Sequence, residues 1–393
     1  MSVREFAVLG AGVMGSGIAL EAARQNIPTQ LIDLSEEALA RASSSVERQL
    51  QRQLNRGVIS DTECQQIQAA LRMHSSAQSF DRVDLLVEAV VEDPQIKLSA
   101  LQRAEQQLPP DAILTTNTST ISIDQLALSL QRPAQFCGLH FFNPVAQMRL
   151  VEVVKGEATS AKTLQSCVEF AKTLNKLPVV VRDCPGFLVN RILFPYFHGF
   201  DQLFKEGVSF ERVDAVMQAF GWPMGPAYLA DVIGMDVMVG ADRVLEAGYP
   251  DRMSYTTNSI FSKLLEAKML GQKTGNGFYL YTLDEAGQRQ REPNPAVWEL
   301  LQRSDSVNTI SDEEIHWRMM LPMLNEALRA LDEGVVASTE DLSLAARLGL
   351  GFPNIEGGLW GYIESIGWDQ LQQQMERYAH LGSLYTYQRS LQG

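Results

Sequence analysis

Short β-branched apolar runs alternate with longer amphipathic stretches over the first ~180 residues, the pattern of a largely parallel sheet covered by helices. The predicted strands are "FAVLG" (6–10), "TQLID" (29–33), "LLVEAV" (85–90), "ILTTN" (113–117), "FCGLHFF" (136–142), "LVEVV" (150–154) and "PVVV" (178–181). Between the second and third, residues 36–70 read as polar helix, longer than a plain crossover needs. From Pro185 onward the pattern turns helical. The polar segment "TLDEAGQRQREPNP" (282–295) reads as the start of a linker. "SDEE" (311–314) then offers Ser311 as an N-cap with Glu314 three residues later, a capping-box spacing.

The helical regions on either side of that linker resemble each other. Arg191, Pro195, Glu206, Gly207 and Asp214 recur at a constant offset of 127 as Arg318, Pro322, Glu333, Gly334 and Asp341. "FGWPMGP" (220–226) is echoed by "LGFPNIEGG" (350–358). Chance would rarely place five identities, one of them a proline within a helical pattern, at one offset. The reading is a duplicated helical unit.

A length of 393 residues implies about two or three domains. The 45% hydrophobic content is ample for full cores, and a net charge of −14 argues against nucleic acid as a general partner. Cys64, Cys137, Cys167 and Cys184 lack CxxC spacing and read as reduced thiols; no HExxH pattern suggests a metal. "MSVREFAVLG" enters a strand almost at once, so no signal or transit segment is expected, and no apolar run is long enough to span a membrane. The expectation is a cytoplasmic enzyme or binding protein.

In "FAVLGAGVMGSG", Gly10, Gly12 and Gly15 keep GxGxxG spacing. The motif follows a strand, opens a helix, and leads to a second strand ending at Asp33, which is the context of a dinucleotide site. Gly10 permits the tight turn, Gly12 lets the backbone approach a pyrophosphate, and Gly15 lets helix and strand pack closely. Asp33 can accept from ribose hydroxyls and would repel a 2′-phosphate, favouring NAD over NADP. The competing reading makes Asp33 a turn residue before a Ser35 cap.

Open parallel sheets bind ligands at their carboxyl edge. "VEAVVED" places Glu88 and Glu92 at one such strand end, with Lys97 just beyond; "TTNTSTISI" places Asn117 and Ser119 at the next; "HFFNP" places His140 and Asn143 at the one after. Imidazole is suited to take a hydroxyl proton near neutral pH while hydride leaves for nicotinamide. Glu152, on the neighbouring run, is the candidate carboxylate to orient it, unless it is merely an exposed strand residue.

Taken together, "GAGVMGSGIA", "VEAVVE", "NTST", "HFFNPV", "LVEVV", "DCPGFLVNR", "FGWPMGPAYLADVIGMD" and "GQKTGNGFY" closely resemble the L-3-hydroxyacyl-CoA dehydrogenases over essentially the whole chain. The similarity is greatest to the dehydrogenase half of the bacterial multifunctional fatty-acid oxidation alpha subunit. The resemblance implies His140 as general base, Glu152 as its partner, Ser119 beside the reacting oxygen, and Asn190 in contact with substrate. It also implies that Met14, Asp33, Val90, Val91, Glu92, Lys97, Ser119 and Asn143 contact NAD, and Asn117 is grouped with them. The implied reaction is reversible oxidation of an L-3-hydroxyacyl-CoA to a 3-oxoacyl-CoA in β-oxidation of fatty acids.

The expected architecture is an α/β Rossmann-like NAD-binding domain (1–183), a first helical C-terminal unit of the family (184–281), a linker (282–310) and a second helical unit (311–393). Two departures from the multifunctional relatives bear on substrate preference. Their hydratase/isomerase domain is not expected here, and Leu348 stands where they can carry a tyrosine before "GLGFP". A separate hydratase or thiolase partner is compatible with this. Because single-unit members of the family resemble dimers, the tandem unit predicts a monomer.

Arg41, Arg48, Arg52 and Arg56 fall on one side of the helix over 36–56, where Arg48 and Arg52 are candidates for coenzyme A phosphates. The plainer alternative is a solvated face balanced by Glu36, Glu37 and Glu47. Two other functions compete: a dehydrogenase of the same architecture for a free hydroxy acid or a dicarboxylyl-CoA, and a non-catalytic NAD-binding subunit. Presence of His140, Glu152, Ser119 and Asn190 together speaks against the last.

Overall fold

Eight strands form one sheet in a computed structural model that describes residues 3–75, 80–254, 258–284, 287–300 and 309–388. The chain divides into two compact units, Met1–Asp183 and Cys184–Gly393. In the first unit the strands are β1 (Phe6–Leu9), β2 (Thr29–Ile32), β3 (Leu71–His74) and β4 (Leu85–Glu88), followed by β5 (Ile113–Thr116), β6 (Phe136–Phe141), β7 (Leu150–Lys155) and β8 (Leu177–Arg182). Their order across the sheet is β3-β2-β1-β4-β5-β6-β7-β8. All neighbours pair in parallel except β6 and β7, which are antiparallel. The order reverses between β1 and β4, so the crevice beyond those strand ends is the natural ligand position of such a sheet.

Helices α1 (Val13–Arg24), α2 (Glu36–Asn55), α3 (Asp61–Ala70), α4 (Pro94–Gln107), α5 (Ile123–Ala127) and α6 (Ala161–Thr173) connect the strands. Local chemistry sets their starts. Ser60 and Glu63 form a reciprocal capping box at α3, and Asp93 caps α4 with Pro94 at its first position. The predicted helix over 36–70 is therefore two helices, and it delivers the chain to β3, a strand the sequence pattern does not announce. "LRMH" is only half-buried on the sheet edge and lacks an apolar run.

The second unit begins with α7 (Val189–Lys205), α8 (Phe210–Phe220), α9 (Pro226–Ile233), α10 (Met235–Gly248) and α11 (Ile260–Glu266). The stretch read as a linker opens instead as an antiparallel hairpin, β9 (Tyr279–Leu283) with β10 (Arg289–Pro293), followed by the short α12 (Ala296–Glu299). Residues 285–286 and 301–308 of that stretch lie outside the described residues. The remaining helices are α13 (Asp312–Asp332), α14 (Thr339–Ala345), α15 (Gly358–Ile366) and α16 (Trp368–Tyr378). Ser311 caps α13 through the Glu314 amide, as its spacing predicts.

Two buried carboxylates fasten the hairpin. Asp231 accepts from the Phe278 and Tyr279 amides, both at 2.9 Å, and from the Tyr281 hydroxyl at 2.7 Å. Asp214 accepts from the Ala227 and Tyr228 amides and from the Tyr279 hydroxyl. Burial pushes both carboxyls up to about 6, so both are ionised acceptors at neutral pH. A Cβ on Gly277 would fall 2.0 Å from Asp231 Oδ1, so the "GNGFY" turn must carry glycine there.

Helices α7 and α13 pack against each other, each with an internal proline, Pro195 and Pro322. The residues that recur at offset 127 make reciprocal ion pairs: Arg191 Nη1 lies 2.7 Å from Glu333, and Arg318 Nη2 lies 2.6 Å from Glu206. Further along, the absent Cβ of Gly221 faces Pro353 and that of Gly351 faces Pro223, each at 3.1 Å. Asp341 does not make the contact that Asp214 makes, an acceptor for the start of the next helix. The caps Ser209 and Ser338 are 129 apart, and Ser343, at that same offset from Asp214, is the residue that accepts from the start of the next helix, Trp360 N at 3.0 Å. The offset grows once more, to 130 at Gly221 and Gly351. One wide turn of π-helix, Ala346–Leu350, takes up the added residue.

Candidate active site

At the carboxyl end of β1 the three motif glycines do different things. Gly10 has φ +100°, and a Cβ there would lie 2.5 Å from the Ala89 carbonyl, so the loops after β1 and β4 touch. A Cβ on Gly15 would lie 1.8 Å from the Gly10 carbonyl oxygen. Gly12 has nothing within 4 Å of its Cβ position. It also begins α1 without a side-chain cap or an acid in the first turn, an arrangement suited to receiving an anion at the helix amides. Asp33 holds this loop in place. One carboxylate oxygen accepts from Ala11 N and the other from Ser35 N, each at 2.8 Å. The turn role and the ribose role are thus compatible, because a carboxylate offers about four acceptor positions. Val13, Leu34 and Val91, exposed by 74, 82 and 63%, supply apolar surface at the ends of β1, β2 and β4. Met14 is half-buried in the first turn of α1.

Antiparallel pairing of β6 with β7 sets His140 directly opposite Glu152. His140 Nδ1 lies 2.7 Å from Glu152 Oε2, with the carboxylate fully buried and the imidazole nearly so. The alternative of an exposed strand residue is therefore wrong for Glu152. Asn117 spans the ends of β5 and β6: its side-chain oxygen accepts from the Phe141 amide at 2.8 Å. Asn143 is exposed in the loop after β6 and precedes a cis proline, Pro144. That loop is held from below by Lys176, which donates to the Val145 and Met148 carbonyls. It also packs on α1 at Gly17, where a Cβ would stand 3.0 Å from Val145. Neither support has a motif that would have revealed it.

Between these two regions lies a chain of charged and hydroxyl groups. Glu88 accepts from Lys97 Nζ (2.8 Å), Val90 N (2.7 Å) and Thr116 Oγ1 (2.6 Å). Lys97 also lies 3.2 Å from Glu92. Glu92 in turn receives the Thr118 hydroxyl and the Ser119 amide, the latter at 2.9 Å. Burial holds the Glu88 carboxyl above the usual carboxylate range despite Lys97. For Glu92 burial acts in the same direction, but Lys97 and the hydroxyl and amide donors outweigh it and bring the group below that range. Thr116 and Thr118 were not singled out from the sequence; the hydroxyl-rich "TTNTST" was their signal.

Asn190 stands half-buried in the first turn of α7, in the second unit. Leu348 lies within the π turn. On α2, Ala42, Val46 and Leu50 are buried and Arg41, Arg48, Arg52 and Arg56 are exposed, with Arg41 paired to Glu37. None of the four cysteines forms a disulfide, and among the described residues no group of three potential ligands could hold a metal. No helix among them is long and apolar enough to cross a membrane.

Comparison with known proteins fits this geometry. The family models for the NAD-binding domain and the C-terminal domain of 3-hydroxyacyl-CoA dehydrogenase match residues 5–184 and 186–281. The chain belongs to the 3-hydroxyacyl-CoA dehydrogenase family. It is similar to 3-hydroxybutyryl-CoA dehydrogenase from Escherichia coli K12, with 28% identity over 98% of this chain and 97% of that one, at a TM-score of 0.85. The (S)-3-hydroxybutyryl-CoA dehydrogenase PaaH1 from Ralstonia eutropha shares 33% identity over 72% of this chain and all of its own, with a TM-score of 0.68. The dehydrogenase part of multifunctional enzyme 1 from C. elegans shares 28% over 98% of this chain and 88% of that one, with a TM-score of 0.67.

Members of the 3-hydroxyacyl-CoA dehydrogenase family are NAD-dependent oxidoreductases acting on CH–OH groups, and NAD is the cofactor of this chain. The residues present suit it: open space at Gly12, uncapped amides at the start of α1, and a carboxylate at Asp33. The different surroundings of the glycines lead to a specific expectation. Gly12→Val should fold with little loss of stability yet bind NADH at least about tenfold more weakly. Gly15→Val should instead disrupt folding, since its side chain would collide with backbone. Thermal unfolding and NADH fluorescence titration separate the two effects; intact NADH binding by Gly12→Val would refute the assignment.

Proposed function

We propose that this protein oxidises the 3-hydroxyl of an L-3-hydroxyacyl-CoA to a ketone, reversibly, as the dehydrogenation step of fatty-acid β-oxidation. The observation that carries this reading is the buried His140–Glu152 pair at the carboxyl edge of the sheet. With Nδ1 held at the Glu152 carboxyl group, the ring atom assigned to the base role is Nε2. Nε2 takes the hydroxyl proton, and Glu152 stabilises the resulting imidazolium. NAD, when bound, would supply the acceptor for the hydride that leaves the carbon bearing that hydroxyl. In the reverse direction His140 returns the proton to the ketone oxygen. On the family resemblance, Ser119 lies beside that oxygen and Asn190 contacts the substrate.

The cofactor side consists of Gly10, Gly12, Met14, Gly15, Asp33, Val90, Val91, Glu92, Lys97, Asn117, Ser119 and Asn143. A chain-length series of 3-hydroxyacyl-CoAs with NAD or NADP tests reaction, tail preference and cofactor choice together, with NAD expected to be preferred because of Asp33. His140→Gln should lower turnover by at least ~10²-fold with NAD affinity nearly unchanged. Near-normal turnover in that variant would remove His140 from the chemistry.

Arg48 and Arg52 are the candidates for coenzyme A phosphates, because they are exposed on one face of α2. Arg48→Glu with Arg52→Glu should raise KM for acyl-CoA severalfold and leave NADH affinity alone. An unchanged KM would make the stripe a solvated face.

The two helical regions, 184–281 and 311–393, are read as a duplicated unit whose halves cover each other through α7 and α13. A contact made within one chain has a high effective concentration and should outcompete dimerisation. Light scattering should accordingly give the mass of one chain, 43.7 kDa. A stable dimer at micromolar concentration would show that the pairing leaves a further interface open.

A further inference from the structure

Lys176 stands where α6 ends and β8 begins, and its backbone is held from both sides. Asn175 takes the left-handed conformation at φ +57°, which lets Lys176 N donate to the Ala171 carbonyl at 3.0 Å and close the helix. Leu177 N then donates to the Arg149 carbonyl at 2.7 Å. From this fixed start the side chain, only 4% exposed, reaches under the loop that follows β6. Nζ donates there to the Val145 carbonyl at 2.5 Å and to the Met148 carbonyl at 3.1 Å. The turn itself is closed by the Gln147 and Met148 amides, which both donate to the Pro144 carbonyl. The same ammonium lies 3.9 Å from Glu21 Oε2 on α1, and the other oxygen of Glu21 pairs with Arg24. One turn earlier on α1, Gly17 lies against Val145.

We infer that Lys176 is a positioning residue: it ties the 142–149 loop, and with it His140 and Asn143, to the helix that starts at the cofactor's glycine loop. This rests on the reading of His140 as the base. In that reaction the proton and the hydride leave one alcohol centre in different directions, the proton toward His140. The base and the cofactor must therefore be set against each other, and His140 and α1 stand on different segments of the chain. A displacement of about 1 Å between reacting groups can cost ~10²-fold in rate. The Gly17–Val145 contact is apolar and resists only closer approach; the ammonium supplies the attraction that keeps loop and helix together. Without it two carbonyls lose their donor, one of them enclosed, and Glu21 loses a counter-ion. The tether is closed to solvent at Lys176, so salt screens it less than a surface pair.

The test uses the full-length protein with acetoacetyl-CoA and NADH. Lys176→Met keeps the reach of the side chain and removes its donors. It should lower kcat at least about tenfold, with the Kd for NADH and the KM for acetoacetyl-CoA each changed less than about threefold. A role in stability alone would lower the unfolding temperature and leave kcat of the folded enzyme where it was. Glu21→Gln removes the charge on the α1 side and touches neither carbonyl. It should reproduce part of the loss, and the double variant should lose less than the product of the two, because both act through one ion pair. Unchanged kcat in folded Lys176→Met overturns the inference. A tenfold rise in Kd for NADH with kcat intact also overturns it, since the loop would then serve cofactor affinity alone.

Gly17→Ala disturbs the same spacing with Lys176 intact. Its methyl group would stand 3.0 Å from Val145 and push loop and helix apart. It should lower kcat severalfold and keep NADH affinity. If Lys176→Met does not fold, normal kcat in both Gly17→Ala and Glu21→Gln overturns the inference. Hydrogen exchange provides a readout independent of turnover. Amides of Gln147 and Met148 should exchange at least about tenfold faster in Lys176→Met, with those of β2 unchanged. If the wild type turns over no acetoacetyl-CoA, the proposed reaction fails, and the exchange rates still judge the tether.

Discussion

Antiparallel pairing of β6 with β7, within a sheet whose other pairs are parallel, is the constraint on which the rest of the site depends. Only with β7 reversed in this register does Glu152 face His140 across the ladder, on the same side of the sheet. A one-residue slip would turn Glu152 to the opposite face and aim a valine at the imidazole. The register is set where the chain turns back, between Phe142 and Arg149, and that turn is anchored by Lys176 beneath it and by the missing side chain of Gly17 beside it. Burial of Glu152 has a desolvation cost, offset by the nearby imidazole and by the well-packed apolar residues around both strands.

The same edge of the sheet shows two ways of holding a carboxylate. Asp33 remains partly open to solvent and is stabilised by backbone amides, so it has acceptor capacity to spare for a ligand. Glu88 is enclosed, its oxygens committed to Lys97, Val90 and Thr116. Glu92 lies between these extremes, with its side chain 39% exposed and its oxygens shared between Lys97 and the 118–120 turn. Exposure and prior commitments, more than residue type, separate groups that can meet a cofactor from groups that hold the framework.

Much of this was legible in the sequence, because the deciding signals are local. Seven of the strands show as β-branched runs, the glycine motif declares its turn, and the His and Glu stand in adjacent apolar stretches. What was not legible depends on partners distant in the chain. β3 is a half-buried edge strand without an apolar run, and the hairpin in the expected linker owes its order to Asp231, some fifty residues earlier. Lys97 reads as a cation near a strand end; only three-dimensional packing reveals its pairing with both Glu88 and Glu92. On the reading of a duplicated unit, Arg, Pro, Glu and Gly carry the pattern, while Asp341 keeps the offset without the role of Asp214, since the helix-start contact comparable to that of Asp214 is made by Ser343.

The pairing of α7 with α13 has a consequence for how such a chain can change. In a symmetric dimer of one gene product every substitution occurs twice, once on each side of the axis. Two halves joined in a single chain receive it once. The residue at offset 127 from Gly199 is Glu326, whose buried carboxylate gathers Arg191, Arg252 and Arg329. Gly199 has no side chain at all, and the Arg318 carbonyl lies within 2.4 Å of where its Cβ would be. On the reading of these helices as duplicates, one has become the keeper of charge and the other the close-packing partner. That division of labour is heritable here, and no homodimer could encode it.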